Sequence, residues 1–294
     1  MPRVSTRYDL IAIDLDGTLL APDGRVSDAN RRALADARDA GVTILPCTGR
    51  GLVESRKILG QFDHAGPVVT AGGAITADAR TGETLHRFAM DPSLTGRAVS
   101  IMHECGHAAL VLKDAPAAGF EYLVLGSELG HQIDPIIEWW FQSMRVTVRF
   151  GATLADDEHP EHSVRVGLCA EADRSAPVAR RLQDELGDSI LLHDFPAVVH
   201  RGETRTVHIL EVFDARASKW GAIEACCARA GLDPARTAAI GDEVNDVPMI
   251  RGAGLGVAMG NAIDAVKQAA DRHAPSNADD GVAFAIGRIL DGAW

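Results

Sequence analysis

The apolar run Leu10-Ile11-Ala12-Ile13 passes directly into Asp14, and Asp16 follows two positions later, ahead of Gly17 and Thr18. Four apolar residues in succession suit a strand covered on both faces, as in a parallel sheet lying between helices. Such sheets bind ligands beyond the carboxyl ends of their strands. Residues two apart in an extended chain project to the same side, so Asp14 and Asp16 converge if the extended backbone continues. Gly17 then permits a tight turn.

The same arrangement recurs along the chain. Val42 to Leu45 reads as a second strand and leads to Thr48-Gly49-Arg50, while Val68 and Val69 belong to a third, broken at Gly72 and Gly73. Ala238 to Ile240 is a short strand entering Gly241, Asp242, Glu243, Val244, Asn245 and Asp246. Helix signals alternate with these strands. Ser27 caps a helix carrying Leu34 and Ala37 that stops at Gly41; Ser218 caps one through Trp220 and Ile223 to Gly231; Asn261 caps another with Ala265 and Val266. The alternation predicts an α/β fold, a doubly wound Rossmann-like parallel sheet.

The middle of the chain has a different rhythm. Helix patterns at Leu94 to Met102, Ile133 to Met144 and Ala176 to Leu186 are mixed with strand patterns at Ala108 to Leu112, Tyr122 to Leu125, Val146 to Phe150, Val164 to Cys169 and Ile190 to His193. This predicts an inserted α+β cap domain over 86–211, with the core formed by 1–85 and 212–294. With 294 residues, 46% of them hydrophobic, the chain can build both units.

A net charge of -12 argues against nucleic acid or an anionic membrane as partner. The five cysteines, Cys47, Cys105, Cys169, Cys226 and Cys227, are an odd number without a disulfide-like spacing, which suits a reducing cytoplasm. No apolar stretch reaches the length of a membrane span, and the N-terminal run is interrupted by Asp9. The expectation is a cytoplasmic monomer or homodimer.

Clustered carboxylates repel one another, and a cation relieves that repulsion. Oxygen ligation by Asp side chains suits magnesium. A phosphate oxygen completes such a shell, and Lys219 offsets the remaining phosphate charge.

Taken together, the segments "DLDGTLL", "TGR", "ASKWGAI" and "GDEVNDVPMI" resemble the four motifs of the haloacid-dehalogenase-like hydrolase superfamily. The spacing resembles its Cof-like phosphatase branch, in which a large cap is inserted between motifs two and three. The tail segments "GVAMGNAIDAVKQAAD" and "SNADDGVA" are also similar to that branch. The resemblance implies a Mg2+-dependent phosphatase acting on a small-molecule phosphate ester. Asp14 is then the nucleophile, forming an aspartyl phosphate, and Asp16 the general acid and base. Thr48, Gly49, Lys219 and Asn245 hold the phosphoryl group. The metal falls to Asp14, Asp242 and the Asp16 backbone carbonyl, with Asp246 in support. The dehalogenases of the superfamily lack the second acid and the metal, so Asp16 and Asp242 favour phosphate chemistry. In one departure, Gly72 stands where the branch often has Asn.

Other readings remain open at this level. Passing the aspartyl phosphate to an alcohol gives a phosphotransferase or mutase, and a silent site gives a phosphate-ligand sensor. His103-Glu104-Cys105-Gly106-His107 fits the H-E-x-x-H pattern of zinc peptidases. Gly106 is a natural helix stop, however, and would splay the two His apart. Trp139 and Trp140 are expected to pack the cap or a dimer contact. His193, Asp194, His200 and Arg201 are expected in an exposed loop near the cap exit. Arg50 is assigned either to substrate or to pinning the cap.

Overall fold

The computed structural model describes residues 7–131, 133–196 and 207–294. These divide into two compact units, one made of the chain up to His86 together with Ser218–Trp294, the other of Arg87–Ala217.

The first unit opens with β1 (Leu10–Asp14), every residue of which is buried. Then come α1 (Asp28–Asp39), β2 (Thr43–Cys47), α2 (Leu52–Leu59), β3 (Pro67–Thr70), β4 (Ile75–Asp78) and β5 (Thr84–Arg87). Ser27 caps α1 by accepting from the Asn30 amide, a contact worth about 1 kcal/mol, and the helix buries Leu34 and Ala37. After the insert the unit resumes with α7 (Lys219–Ala230), β12 (Thr237–Gly241), α8 (Val247–Gly252), β13 (Leu255–Ala258), α9 (Asp264–Ala269), β14 (Arg272–His273) and α10 (Gly281–Leu290).

The eight strands form one sheet in the order β14-β13-β12-β1-β2-β3-β4-β5. Pairing is parallel from β14 to β3. The turn back into β4, which the sequence reading did not anticipate, pairs antiparallel with β3. Chain order runs outward from β1 in both directions, so β1 and β12 flank the switch point where doubly wound sheets bind ligands. Asp14 lies level with Cys47, and Ile13 with Ile240. The residues following β2 and β12 are thereby brought beside the end of β1.

The inserted unit contains β6 (Ala109–Lys113), β7 (Tyr122–Leu125), β8 (Val148–Gly151), β9 (Ser163–Glu171), β10 (Ile190–Pro196) and β11 (Val207–Asp214). Its helices are α3 (Pro92–Glu104), α4 (Ala115–Ala118), α5 (Pro135–Met144) and α6 (Ala172–Leu186). The sheet order is β10-β11-β9-β6-β7-β8. Its pairings are antiparallel except for parallel β7 and β8. Val111, Leu123, Val166, Leu210 and Val212 on one face pack against Val99 and Met102 of α3 and Val178 and Leu182 of α6. Because β11 pairs with both β9 and β10, the division between units falls after Ala217. That same pairing places His193 and Asp194 in a strand, opposite Glu211 and Leu210, rather than in the loop expected for them. His200 and Arg201 lie outside the described residues.

Candidate active site

Asp14 ends β1 with a carboxylate that is nearly inaccessible, 7% exposed. Lys219, the first residue of α7, is also buried, and its Nζ donates to Asp14 Oδ1 and to Asp246 Oδ1, each at 2.5 Å. A longer contact, 3.4 Å, reaches Asn245 Oδ1. Ser218 fixes the start of α7 by accepting from the Gly221 amide. Gly73 lets the β3–β4 connection approach this point: at φ 109° it lies where a Cβ would run into the Ser218 carbonyl. Helix start and sheet end are therefore held together by backbone, and the ammonium has little room to move.

Asp242 follows β12. Its Oδ1 accepts from Thr18 Oγ1 at 2.7 Å. The turn carrying Thr18 depends on Gly17, at φ 79°, where any side chain would collide with the Asp242 carboxylate. Asn261 Nδ2 donates to the Gly17 carbonyl at 2.8 Å and reaches Asp242 Oδ2 at 3.4 Å. The Asn277 main-chain amide donates to Asn261 Oδ1 at 2.9 Å, and Asn277 Nδ2 donates to the Leu20 carbonyl. Asn261 thus acts on the turn after β1 and does not cap a helix, since α9 begins only at Asp264. The expected capping role fails because the side chain has a stronger obligation across the sheet end. Thr18 lies in the first motif but was given no role in the sequence reading, and Asn261 and Asn277 lie outside the four motifs, in the tail segments that also carried the resemblance.

One carboxylate oxygen from each of Asp14, Asp242 and Asp246 lies within 4.8 Å of the others. Burial is the main reason the Asp14 carboxyl is pushed well above its ordinary range, against the pull of the Lys219 ammonium. Burial likewise raises Asp242, to about 7, opposed by the Thr18 hydrogen bond. Asp14 and Asp246 together drive Lys219 upward despite the cost of burying it, so the ammonium stays charged. A buried acid cluster with an all-oxygen donor set fits a hard divalent cation better than a soft one. The three carboxylates are not equivalent, however. Asp246 Oδ1 is engaged by Lys219, and Oδ2 accepts from the Asp242 and Glu243 amides at 2.8 and 3.0 Å. It orders the loop that presents Asp242, a supporting position.

Asp16 stands apart from this cluster. Its two oxygens accept from Arg50 Nε and Nη2, both at 2.7 Å, and its side chain is half exposed. Arg50 follows Thr48 and Gly49, and its amide donates to Thr48 Oγ1 at 3.1 Å. Thr48 is buried, and a Cβ on Gly49 would meet Asn245 Nδ2 at 3.8 Å, so the second and fourth segments adjoin. Thr48 also accepts from the Gly72 amide through its carbonyl, so in this chain the position that often holds Asn supplies main chain alone.

The H-E-x-x-H segment does not form a metal site. Helix α3 ends at Glu104, Gly106 takes φ 82°, and His107 lies beyond the helix. His103 Nε2 lies 3.1 Å from the Leu125 carbonyl, while Glu104 pairs with Arg181. Trp140 packs edge-on against Tyr122, and Trp139 is 43% exposed. None of the five cysteines forms a disulfide. Among the described residues no helix is long and apolar enough to cross a membrane.

A doubly wound sheet with Asp14, Lys219, Asp242 and Asp246 gathered at its switch point defines the class, an α/β fold with an acidic site around a buried ammonium, and comparison with known proteins identifies the family. A profile of haloacid dehalogenase-like hydrolases matches residues 11–286, and the chain belongs to that family. It is 29% identical over 301 residues to the 5-amino-6-(5-phospho-D-ribitylamino)uracil phosphatase YwtE of Bacillus subtilis (strain 168), covering 97% of this chain and 99% of that one. It is 28% identical over 256 residues to the HMP-PP phosphatase of Enterobacter sp. (strain 638), covering 86% and 85%. The crystal structure of a haloacid dehalogenase-like hydrolase from Bacteroides thetaiotaomicron superposes with a TM-score of 0.74 at 25% identity, over 96% of this chain and 99% of that one.

Proposed function

We propose that this chain is a magnesium-dependent phosphatase that hydrolyses a small phosphorylated metabolite through a phosphate ester on Asp14. One observation carries the reading: a buried aspartate at the end of β1 is held 2.5 Å from a buried ammonium and faces two further carboxylates. That is an arrangement in which burial favours the neutral acid and the ammonium beside it pulls toward the charged nucleophile.

Asp14 attacks phosphorus, and its Oδ–P bond forms as the bond to the leaving oxygen breaks. Lys219 favours the charged carboxylate before attack and offsets the phosphoryl charge during it. Asp16 protonates the leaving alcohol, then accepts a proton from the water that hydrolyses the acyl phosphate. To do so its carboxylate must leave both contacts with Arg50. Thr48, the Gly49 amide and Asn245 hold phosphoryl oxygens. Asp14, Asp242 and the Asp16 carbonyl would hold magnesium, with Asp246 fixing the loop behind them. When bound, the ion offsets negative charge on the transferring group, where catalysis of phosphoryl transfer chiefly lies.

The inserted unit, 86–211 in the sequence reading and Arg87–Ala217 by its packing, is assigned the choice of leaving group. The relatives named for a ribitylamino-uracil phosphate make a polyol-linked phosphate the first substrate to try. Five cysteines outside any disulfide fit a reducing cytoplasm.

The test is a screen of phosphate esters, that compound included, with and without magnesium. Released phosphate is measured and substrates are ranked by kcat/KM. Phosphate release from none of them, with the folded protein and magnesium present, would refute the reading.

A further inference from the structure

A second group of ligand-type side chains lies in the inserted unit, on the connection between β8 and β9. His159, Glu161 and His162 each offer one donor atom, and these three atoms lie within 4.8 Å of one another. His159 Nδ1 stands 3.9 Å from Glu161 Oε1, and His162 Nε2 stands 3.3 Å from the same oxygen. The imidazole rings are 5.8 Å apart and inclined by 29°. Metal–nitrogen bonds of about 2.0–2.1 Å in a tetrahedral shell put neighbouring donors roughly 3.3 Å apart. One donor pair already has that spacing, and small side-chain rotations bring in the third.

The backbone beneath these residues is pinned. Lys113 is buried, and its Nζ donates to Asp157 Oδ2 at 2.5 Å, Ser163 Oγ at 2.7 Å and the His159 carbonyl at 3.1 Å. Asp157 Oδ1 accepts from the His159 amide at 3.1 Å. The His162 amide donates to the His159 carbonyl, and the His162 carbonyl accepts from the Asp114 amide. Both histidines are therefore tied through their own main chain to a buried ion pair, and the turn is ordered before anything binds. The neighbouring cations are each matched: Lys113 by Asp157, and Arg149 by Glu158. The Glu161 carboxylate is 58% exposed, and its ion-pair contacts among the described residues are with the two histidines. His162 Nδ1 is buried without a hydrogen-bond partner, which leaves Nε2, on the Glu161 side, as the nitrogen open to a ligand.

We infer that His159, Glu161 and His162 form a binding site for a borderline divalent transition ion, zinc by preference, that clips the β8–β9 connection of the inserted unit. Two imidazoles and one carboxylate distinguish it chemically from the oxygen-only cluster at Asp14, Asp242 and Asp246. Imidazole donors suit zinc, copper and nickel, whereas magnesium takes oxygen. Three protein ligands leave a fourth position for water. Binding to the folded unit stabilises it by linkage, so the ion acts as a staple on a long connection.

The experiment is zinc titration of the full chain by calorimetry in a large excess of magnesium, which occupies the acidic cluster. The parent is expected to bind one zinc equivalent that the His159→Ala plus His162→Ala variant lacks, with Glu161→Gln binding more weakly. Zinc should raise the melting temperature of the parent and not of the double variant. Independently of any variant, copper bound to the parent should show hyperfine coupling to two nitrogens in its EPR spectrum. A variant lacking His103 and His131, the other stacked histidine pair, should keep the equivalent. The inference is overturned if the double variant binds zinc as the parent does, if removal of His103 and His131 abolishes binding, or if copper shows no nitrogen coupling.

Discussion

Lys219 Nζ donates to Asp14 Oδ1 at 2.5 Å although 205 residues separate the two in the chain. The same ammonium holds Asp246, so one cation links β1, α7 and the loop after β12. Removing one partner of a buried charge cluster leaves the others uncompensated. Lys219→Met should therefore lower kcat by roughly 10²–10³-fold, the usual cost of deleting one charge-stabilising donor. It should also make folding more dependent on magnesium, seen as a larger magnesium-induced rise in melting temperature than in the parent. Activity within a few-fold of the parent would remove Lys219 from the site.

Gly73 offers a test of how tightly the β3–β4 connection abuts α7. Its φ of 109° and the Ser218 carbonyl in the path of a Cβ make Gly73→Ala strained in both backbone and packing. The expected cost is roughly 1–3 kcal/mol of stability, with kcat falling as Lys219 shifts. Gly287→Ala is the control. This glycine sits in α10 with nothing within 4 Å of a new Cβ, and the change should stabilise by about 1 kcal/mol without altering activity. Denaturant unfolding of the two variants gives both numbers.

The acidic cluster should be visible in the pH dependence of the metal-free protein. Burial raises Asp242 from 3.8 to about 7 and also raises Asp14. For an acid with a raised folded pKa the native state holds its proton more tightly than the unfolded chain. Stability then falls as pH rises from about 4 through about 7. Melting temperatures in chelator should decline over that window, and Asp242→Asn should reduce the decline. Magnesium should flatten it, with affinity growing as Asp242 ionises. A melting temperature that rose steadily through this window, unchanged by Asp242→Asn, would contradict the sign.

The two acids of the opening motif should separate kinetically. Asp14→Asn should abolish turnover of every ester, because an amide is a poor nucleophile. In Asp16→Asn, aryl phosphates need little acid help and should still load Asp14, giving a burst of phenol. Hydrolysis of the loaded enzyme should lag by roughly 10²–10⁴-fold. Stopped-flow kinetics and mass spectrometry of the trapped phosphate on Asp14 check both steps; label on another residue would reassign the nucleophile.

Selectivity should reside in the inserted unit. With Arg87–Ala217 replaced by a short Gly/Ser linker, small phosphates should still turn over weakly, while discrimination among larger ones is lost. Unchanged ranking of kcat/KM across the screen would place specificity in the core.

Much of this architecture is local and was readable along the chain. The run Leu10 to Ile13 made a strand buried on both faces because apolar side chains in extended backbone project both ways. Ser27 and Ser218 capped the helices they precede, since a short hydroxyl reaches amides only a few residues on. Five of the insert's strands were legible as short apolar runs, whereas β11 was not read and the boundary at 211 cuts through it. The antiparallel β4 was missed because four residues after a broken glycine turn carry too little periodicity.

The acids themselves could be picked out from residue type and position, but their division of labour could not. Asp14 and Asp16 are two apart and look alike in one dimension, yet one meets a buried ammonium and the other a half-buried guanidinium. Asn261 looks like a helix cap until the Gly17 carbonyl comes within 2.8 Å. Arg50 could be assigned no partner along the chain, and in the fold its Nε and Nη2 donate to the two Asp16 oxygens. Charges find partners by distance and dielectric, and both are set by which segments the sheet lays side by side. The sequence determined which carboxylates and cations stand at the strand ends; only the tertiary structure, by burying some and leaving others in water, decided which of them meet.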